Sequence, residues 1–105
     1  MSNLIEVNES NFEAEVLRSS VPVLVDYWAR HCGPCRALKP VLLALAESLG
    51  DSVKIVTVDV AANERLVNDY RISVVPTLIV FKQGQEFQRL IGLKDMHYLK
   101  EALGV

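Results

Sequence analysis

Residues 21–28 read VPVLVDYW, a nearly continuous apolar run that contains a single acid, Asp26. A strand with one solvated face alternates apolar and polar residues, so an unbroken apolar run indicates a strand buried on both faces. A helical pattern follows, in which apolar residues recur three and four positions apart at Leu38, Val41 or Leu42, Leu45 and Leu49. A buried strand followed by an amphipathic helix predicts a partly parallel sheet that is covered by helices on both faces.

The rest of the chain extends this alternation to the order β-α-β-α-β-α-β-β-α. We predict strands at residues 4–7, 21–28, 53–58, 77–81 and 86–91, and helices at residues 11–19, 61–70 and 95–103 besides the helix that ends before Gly50. The last two strands would form an antiparallel hairpin through KQGQ, where Gly84 permits a positive φ. Asn8 or Ser10 would cap the first helix, and Pro40 would kink the second.

The composition is that of one globular domain spanning residues 1–105. Half of the residues (50%) are hydrophobic, which is enough for one core, and the net charge of −2 provides no basic field for nucleic acid. The first ten residues lack the basic and apolar regions of a signal peptide, and the longest nearly apolar stretch, VVPTLIVF, is too short to span a bilayer. We therefore predict a soluble, cytoplasmic protein with no membrane or nucleic-acid partner.

Both cysteines of the sequence lie in the segment ARHCGPCR, residues 29–36. In a reducing cytosol, an isolated cysteine pair is redox-catalytic or metal-binding more often than structural. The segment joins the buried strand to the helix, and Pro34 suits a first helical turn. Cys32 then lies at a helix N-terminus, where free N–H groups and the helix dipole lower the thiol pKa. Cys35, one turn later, is close enough to form a disulfide and is expected to be the shielded, resolving thiol.

A metal site is the alternative chemistry for this segment. Cys32 and Cys35 have the spacing of zinc ligands, and His31 and His97 complete a formal set of four. However, His31 is adjacent to Cys32, which makes an awkward chelate, and His97 lies in a distant predicted helix. Covalent haem attachment requires a histidine after the second cysteine, where this chain has Arg36. With no glycine-rich nucleotide motif either, we predict no metal and no cofactor on this chain.

The whole sequence resembles the thioredoxin family. The resemblance is carried by VLVDYWA with Asp26 and Trp28, CGPC, the KP of Lys39 and Pro40, VPT at 75–77, FKQG at 81–84, and Ile91-Gly92. CGPC after such a strand, with P-T about forty residues later, is far more specific than an isolated C-x-x-C. The resemblance implies a thioredoxin fold of the α/β class, with a central mixed five-stranded sheet flanked by four helices.

The resemblance also implies that the protein reduces disulfides in other proteins. The Cys32 thiolate would attack a substrate disulfide, and Cys35 would attack the mixed disulfide, which releases reduced substrate and leaves a Cys32–Cys35 disulfide. A thioredoxin-reductase-type enzyme would restore the dithiol of this redox carrier, which we expect to be a monomer. Gly33 and Pro34, between the cysteines, favour a reductase over an oxidase or isomerase. Two alternatives remain open: a non-catalytic thioredoxin-fold binding subunit, and a more oxidising oxidase- or isomerase-like variant.

Further site residues follow from the resemblance. Asp26 would be buried beneath the cysteines with a raised pKa and would take the proton of Cys35, although its residue type alone also suits an ordinary strand acid. Trp28 would pack beside the disulfide. Pro76 would be cis, whereas most X–Pro bonds are trans, and would leave the backbone of Val75 free to pair with an extended substrate. The substrate-binding rim would be apolar and consist of Val74, Val75, Ile91, Gly92 and Leu93.

Arg30 and His31 depart from the family pattern. Thioredoxins usually carry a tryptophan immediately before CGPC, often preceded by an acid, whereas this chain has His31 and Arg30 there. With Arg36 and Lys39 these residues form a basic collar. The collar is either a solvated helix end with scattered charges or a device that lowers the Cys32 pKa and selects acidic partners.

Thr57 is the second departure. Bacterial relatives often have a lysine at this position, close to the buried acid, so Asp26 of this chain would lack a cationic neighbour. Desolvation would then dominate the pKa of Asp26.

Overall fold

The computed structural model describes residues 4–105, and its elements follow the predicted order. The strands are β1 (Ile5–Glu6), β2 (Val23–Trp28), β3 (Lys54–Asp59), β4 (Thr77–Lys82) and β5 (Gln85–Ile91). The α-helices are α1 (Gly33–Leu49), α2 (Glu64–Asp69) and α3 (Met96–Leu103). Three shorter helical segments complete the chain: a π-helix at Glu13–Leu17 and 3₁₀ turns at Gly50–Ser52 and Val60–Ala62.

The five strands form one mixed sheet in the order β1-β3-β2-β4-β5. β3 pairs with β1 and β2 in parallel, whereas β4 pairs with β2 and β5 in antiparallel orientation. β2 therefore lies at the centre of the sheet, and its residue Asp26 lies between Thr57 of β3 and Leu78 of β4. The mixed five-stranded sheet with helices around it confirms the predicted fold.

Separate hydrophobic clusters cover the two faces of the sheet. Helices α1 and α3 pack on one face, where the buried residues include Leu24, Leu38, Leu42, Leu45, Leu78, Val80 and Leu99. The other face is covered by the π-helix and α2, with Phe12, Val16, Val23, Val25, Tyr27, Val58, Leu66 and Phe81. Successive side chains of β2 alternate between the two clusters, so Asp26 shares the face of Leu24 and lies towards α1.

The turns agree with the predicted glycine positions. Gln83 and Gly84 both have positive φ, at 54° and 77°, which matches the tight hairpin turn that joins two twisted strands. A Cβ on Gly84 would lie 2.9 Å from the Leu17 carbonyl oxygen, so the turn also packs closely on the π-helix. Gly50 ends α1 with φ 55°. α1 runs through Pro40, and the predicted kink there stays a prediction.

The first helix is shorter than predicted. It covers Glu13–Leu17 instead of residues 11–19, and its turn closes with a bond from the Arg18 N–H to the Glu13 carbonyl. The Asn8 side chain accepts hydrogen bonds from the backbone N–H groups of Ser10 and Asn11, at 2.8 and 3.2 Å. The Asn8 side chain therefore caps the turn that leads into the π-helix, whereas the N-cap residue of the π-helix itself is Phe12, which makes no side-chain capping bond.

No helix within residues 4–105 combines the length and the apolar character needed to cross a membrane.

Candidate active site

The two cysteines lie at the start of α1, shortly after the end of β2. Cys32 is the N-cap residue of α1, with φ −138° and ψ 108°, and Pro34 occupies the first helical turn. The Cys32 Sγ accepts a hydrogen bond from the Cys35 backbone N–H at 3.1 Å. The two residues form a disulfide, with Cα atoms 5.2 Å apart. A sulfur at this position faces the free N–H groups of a helix, which is the arrangement that stabilises a thiolate.

The two cysteines are similarly buried in the disulfide form. Cys32 is 8% exposed and Cys35 is 6% exposed, so burial does not distinguish the two residues in this state, and the shielding of Cys35 in the reduced protein stays a prediction. The difference between them lies in their neighbours. The Cys32 Sγ is 3.9 Å from the Val75 carbonyl oxygen, whereas Cys35 lines a cavity that Asp26 also lines.

Asp26 is buried beneath the cysteines, with 4% of its surface exposed. Its Oδ1 has no hydrogen-bond partner among the described residues. Burial removes water from the carboxylate and raises the pKa of Asp26 from 3.8 to about 7. Thr57, its neighbour on β3, carries no charge that would counter this effect. The expectation that desolvation dominates the Asp26 pKa is confirmed.

Trp28 closes β2 and lines the same cavity as Cys35 and Asp26. Its indole Nε1 is buried and lacks a hydrogen-bond partner within the described residues. Trp28 therefore adds an aromatic ring to the cavity wall that Cys35 shares, and its packing against the disulfide stays a prediction.

The segment opposite Cys32 has an exposed, apolar rim. The Val75–Pro76 peptide bond is cis, as the resemblance implied. Beside it Val74, Ile91 and Leu93 are 46%, 51% and 48% exposed. The Gly92 N–H donates to the Pro76 carbonyl at 2.9 Å, whereas the Val75 N–H has no backbone acceptor within residues 4–105. An unpaired backbone N–H beside exposed apolar side chains is the arrangement that receives an extended peptide.

The structure divides the basic collar into two parts. Arg30, His31, Arg36 and Lys39 are all exposed, and none of them forms a salt bridge within residues 4–105. Arg30, Arg36 and Lys39 line the cavity that contains Asp26, whereas His31 does not. Three of the four collar residues therefore share the cavity, and His31 lies outside its lining.

The zinc alternative gains no support. Residues 4–105 contain no group of three or more histidine, cysteine or acidic side chains arranged to hold a metal ion. His97 is exposed on α3, and its Nε2 lies 3.8 Å from Glu101.

The cavity itself was not predicted from the sequence. It has a volume of about 640 Å³ and is lined by residues of β1, β2, β3 and α1, among them Glu6, Thr57 and Leu43, and by Leu4, which precedes β1. Its walls come from four elements that are distant in sequence, so no local pattern indicates that they meet.

Comparison with known proteins finds one family over nearly the whole chain. The family model described as Thioredoxin matches residues 3–104. "Thioredoxin 1" of Synechococcus elongatus is 44% identical over 92 residues, which are 88% of this chain and 86% of the relative. "Thioredoxin 1" of Nostoc sp. is 40% identical over 103 residues, 98% and 96% of the two chains. A "Bifunctional thioredoxin reductase/thioredoxin" of Mycobacterium leprae is 39% identical over 86% of this chain and 20% of its own length.

Proposed function

This chain belongs to the thioredoxin family and is a protein-disulfide reductase, and we propose that Cys32 is its nucleophile and Cys35 its resolving thiol. The observation that carries the assignment is the position of the Cys32 sulfur, which caps α1 and accepts the Cys35 N–H at 3.1 Å. A thiolate at this position is stabilised by the N–H groups and dipole of the helix, so Cys32 is the stronger nucleophile at neutral pH.

In the first step, the Cys32 thiolate attacks one sulfur of a substrate disulfide. A Cys32–substrate disulfide forms, the substrate S–S bond breaks, and the other substrate sulfur leaves as a thiolate that takes up a proton. The exposed rim of Val74, Ile91 and Leu93, with Gly92 between the last two, would hold the substrate backbone against Val75.

In the second step, Cys35 resolves the mixed disulfide. Asp26 takes the Cys35 proton, and the Cys35 thiolate attacks the Cys32 sulfur, so that the second substrate thiol is released and the Cys32–Cys35 disulfide remains. A general base works best when its pKa is near the operating pH, and burial raises the pKa of Asp26 to about 7. Asp26 and Cys35 line the same cavity, which supports this pairing.

The oxidised protein then needs two electrons and two protons, which a thioredoxin-reductase-type enzyme would supply. The Mycobacterium leprae relative carries both names in one chain, which supports this choice of partner. We propose that the protein acts as a monomeric single domain, residues 1–105, that transports electrons without a cofactor of its own. We place it in the cytoplasm, where such a system keeps thiols reduced.

The basic collar offers a basis for tuning and selection. We propose that His31 and Arg30, which precede Cys32, lower its pKa and favour substrates with acidic residues near the disulfide. Both side chains are exposed, so each contribution is small and depends on salt.

Insulin reduction by dithiothreitol tests the proposed function. The wild-type protein should accelerate precipitation of the insulin B chain, and Cys32→Ser should abolish the acceleration because the nucleophile is lost. Arg65→Gln, which changes an exposed side chain on α2, should behave like wild type. A non-catalytic binding subunit would give no acceleration over dithiothreitol alone, and retained activity in Cys32→Ser would contradict the assignment of the nucleophile.

A further inference from the structure

The cavity behind the cysteines has the size and position of a ligand site. Its volume of about 640 Å³ lies within the range of about 300–1,000 Å³ that small-molecule pockets in proteins occupy. It opens between the N-terminal half of α1 and the edge of the sheet formed by β1 and β3, and Cys35 and Asp26 form part of its wall. The exposed rim of Val74, Ile91 and Leu93 takes no part in its lining, so it is separate from the proposed substrate surface.

The mouth of the cavity is positively charged. Arg30, Arg36 and Lys39 line it, all three are exposed, and none has a salt-bridge partner in the part of the chain that the structure describes. Glu6 is the one exposed acid in the lining. Guanidinium groups bind a carboxylate through two parallel hydrogen bonds, and a lysine adds a point charge, so this mouth favours an anion.

Apolar side chains also line the cavity. Leu4 precedes β1, Leu43 lies on α1, and Trp28 ends β2, and all three line the cavity. At the same time Asp26, 4% exposed and with one oxygen lacking a partner, adds a buried polar group. An inorganic anion would leave the apolar walls without contacts, and an apolar molecule would leave the cations without a partner.

We propose that this cavity binds a small amphipathic anion, an aromatic carboxylate, with the ring between Leu4, Trp28 and Leu43 and the carboxylate at Arg30, Arg36 and Lys39. A ring of six carbons fits the volume, and the basic mouth fixes the orientation.

The charge of Asp26 should make the affinity of the cavity for a carboxylate depend on pH. Asp26 is neutral below about pH 7 and ionised above it, so it repels a carboxylate only in the ionised form. The other charged groups that share the cavity are Glu6, Arg30, Arg36 and Lys39. β3 contributes an uncharged threonine, no described residue of β4 lines the cavity, and the disulfide does not titrate. Binding should therefore weaken with rising pH.

Titration of the oxidised, ¹⁵N-labelled protein with benzoate tests the proposal by amide chemical shifts. Benzoate should cause saturable shifts confined to Trp28–Arg30, Cys35–Lys39 and the neighbourhood of Thr57. Benzamide keeps the ring without the charge, and acetate keeps the charge without the ring. Each should bind at least about tenfold more weakly than benzoate. Equal affinities for benzoate and acetate, or non-saturating shifts spread over the surface, would overturn the proposal.

Two variants of equal charge separate the site from a general effect of net charge. Arg36→Gln/Lys39→Gln removes two cations from the mouth and should weaken benzoate binding about tenfold. Arg65→Gln/Lys100→Gln removes two cations from α2 and α3, outside the cavity, and should leave the affinity within about twofold of wild type. An equal loss of benzoate affinity in the two double variants would show that binding depends only on the net charge of the protein, and would refute the site.

The pH series completes the test. Affinity for benzoate should fall about fivefold from pH 6 to pH 8 in wild type and stay constant in Asp26→Asn, because the repelling charge is absent. A wild-type affinity that does not change with pH would contradict placement of the ligand beside Asp26. All these measurements report binding, so their outcome is independent of the insulin assay that tests the proposed function.

Discussion

Replacing Asp26 by asparagine should stabilise the folded protein at neutral pH. Asparagine keeps the volume of the side chain but removes the carboxyl group, which is 4% exposed and has an oxygen without a partner among the described residues. The folded-state pKa is raised to about 7 from 3.8, so the folded protein holds its proton more tightly than the unfolded chain does. The free energy of unfolding therefore falls with rising pH between these two values, where only the folded state remains protonated.

The magnitude follows from the size of the pKa difference. The rise of the Asp26 pKa from 3.8 to about 7 corresponds to about 4 kcal/mol in the free energy of unfolding. The wild-type protein loses this stability at about 1.4 kcal/mol per pH unit between the two pKa values, and the loss is complete above the folded-state pKa. Below the unfolded pKa the carboxyl is neutral in both states and carries no such penalty. Wild type and Asp26→Asn should thus be similar in stability near pH 4, and the variant should be more stable by about 4 kcal/mol at pH 8.

Guanidinium chloride unfolding of both oxidised proteins at pH 4, 6 and 8 measures this difference. Other titrating groups are common to both proteins and cancel in the comparison. Glu47→Gln, at an exposed position of α1, removes a carboxyl from the surface and should show a pH dependence close to that of wild type. A constant difference between wild type and Asp26→Asn from pH 4 to 8 would refute the reasoning.

Three further predictions concern the thiols and their surroundings. In the reduced protein at neutral pH, iodoacetamide should modify Cys32 at least about tenfold faster than Cys35. Cys35→Ser should trap mixed disulfides with substrates, whereas Cys32→Ser should not. Equal alkylation rates for the two cysteines, measured by mass spectrometry, would reject Cys32 as the nucleophile. Thr57→Lys should lower the pKa of Asp26 from about 7, and an NMR titration that finds it unchanged would show that no charge at this position reaches the carboxyl. The reduction potential of the wild-type protein should be higher than that of His31→Trp by at most about 20 mV at pH 6, and by less at pH 8 or in high salt. A wild-type potential equal to or lower than that of the variant at pH 6 would exclude tuning by the histidine.

The central strand and the redox segment were predictable because local pattern and tertiary placement agree there. The apolar run of β2 is buried on both faces, and parity along the strand places Asp26 on the side of α1. Pro34 indicates the first turn of α1, which places Cys32 at the helix N-terminus. Of the two candidates Val41 and Leu42, Leu42 is the buried residue on the inner face of α1.

Features that depend on contacts distant in sequence were not predictable in the same way. The first helix is limited to Glu13–Leu17, and its apolar spacing does not distinguish a short π-helix from the longer α-helix that was predicted. Cys32 lies against the segment around Val75, 43 positions away, with 3.9 Å between its Sγ and the Val75 carbonyl oxygen. The cavity requires Leu4 and Leu43 to approach Trp28, and no periodicity in the sequence encodes that approach.

The reduction potential of the Cys32–Cys35 couple, measured against glutathione at pH 7, tests the central claim most directly. A reductase must have a lower reduction potential than the disulfides that it reduces. Thioredoxins have a reference value near −270 mV, and isomerases lie near −180 mV. The difference of about 90 mV corresponds to about 4 kcal/mol, or a thousandfold in the equilibrium constant, which is enough to separate the two roles. We predict a value within about 40 mV of the thioredoxin reference. A potential above about −200 mV would contradict the reductase function and favour the oxidase- or isomerase-like alternative.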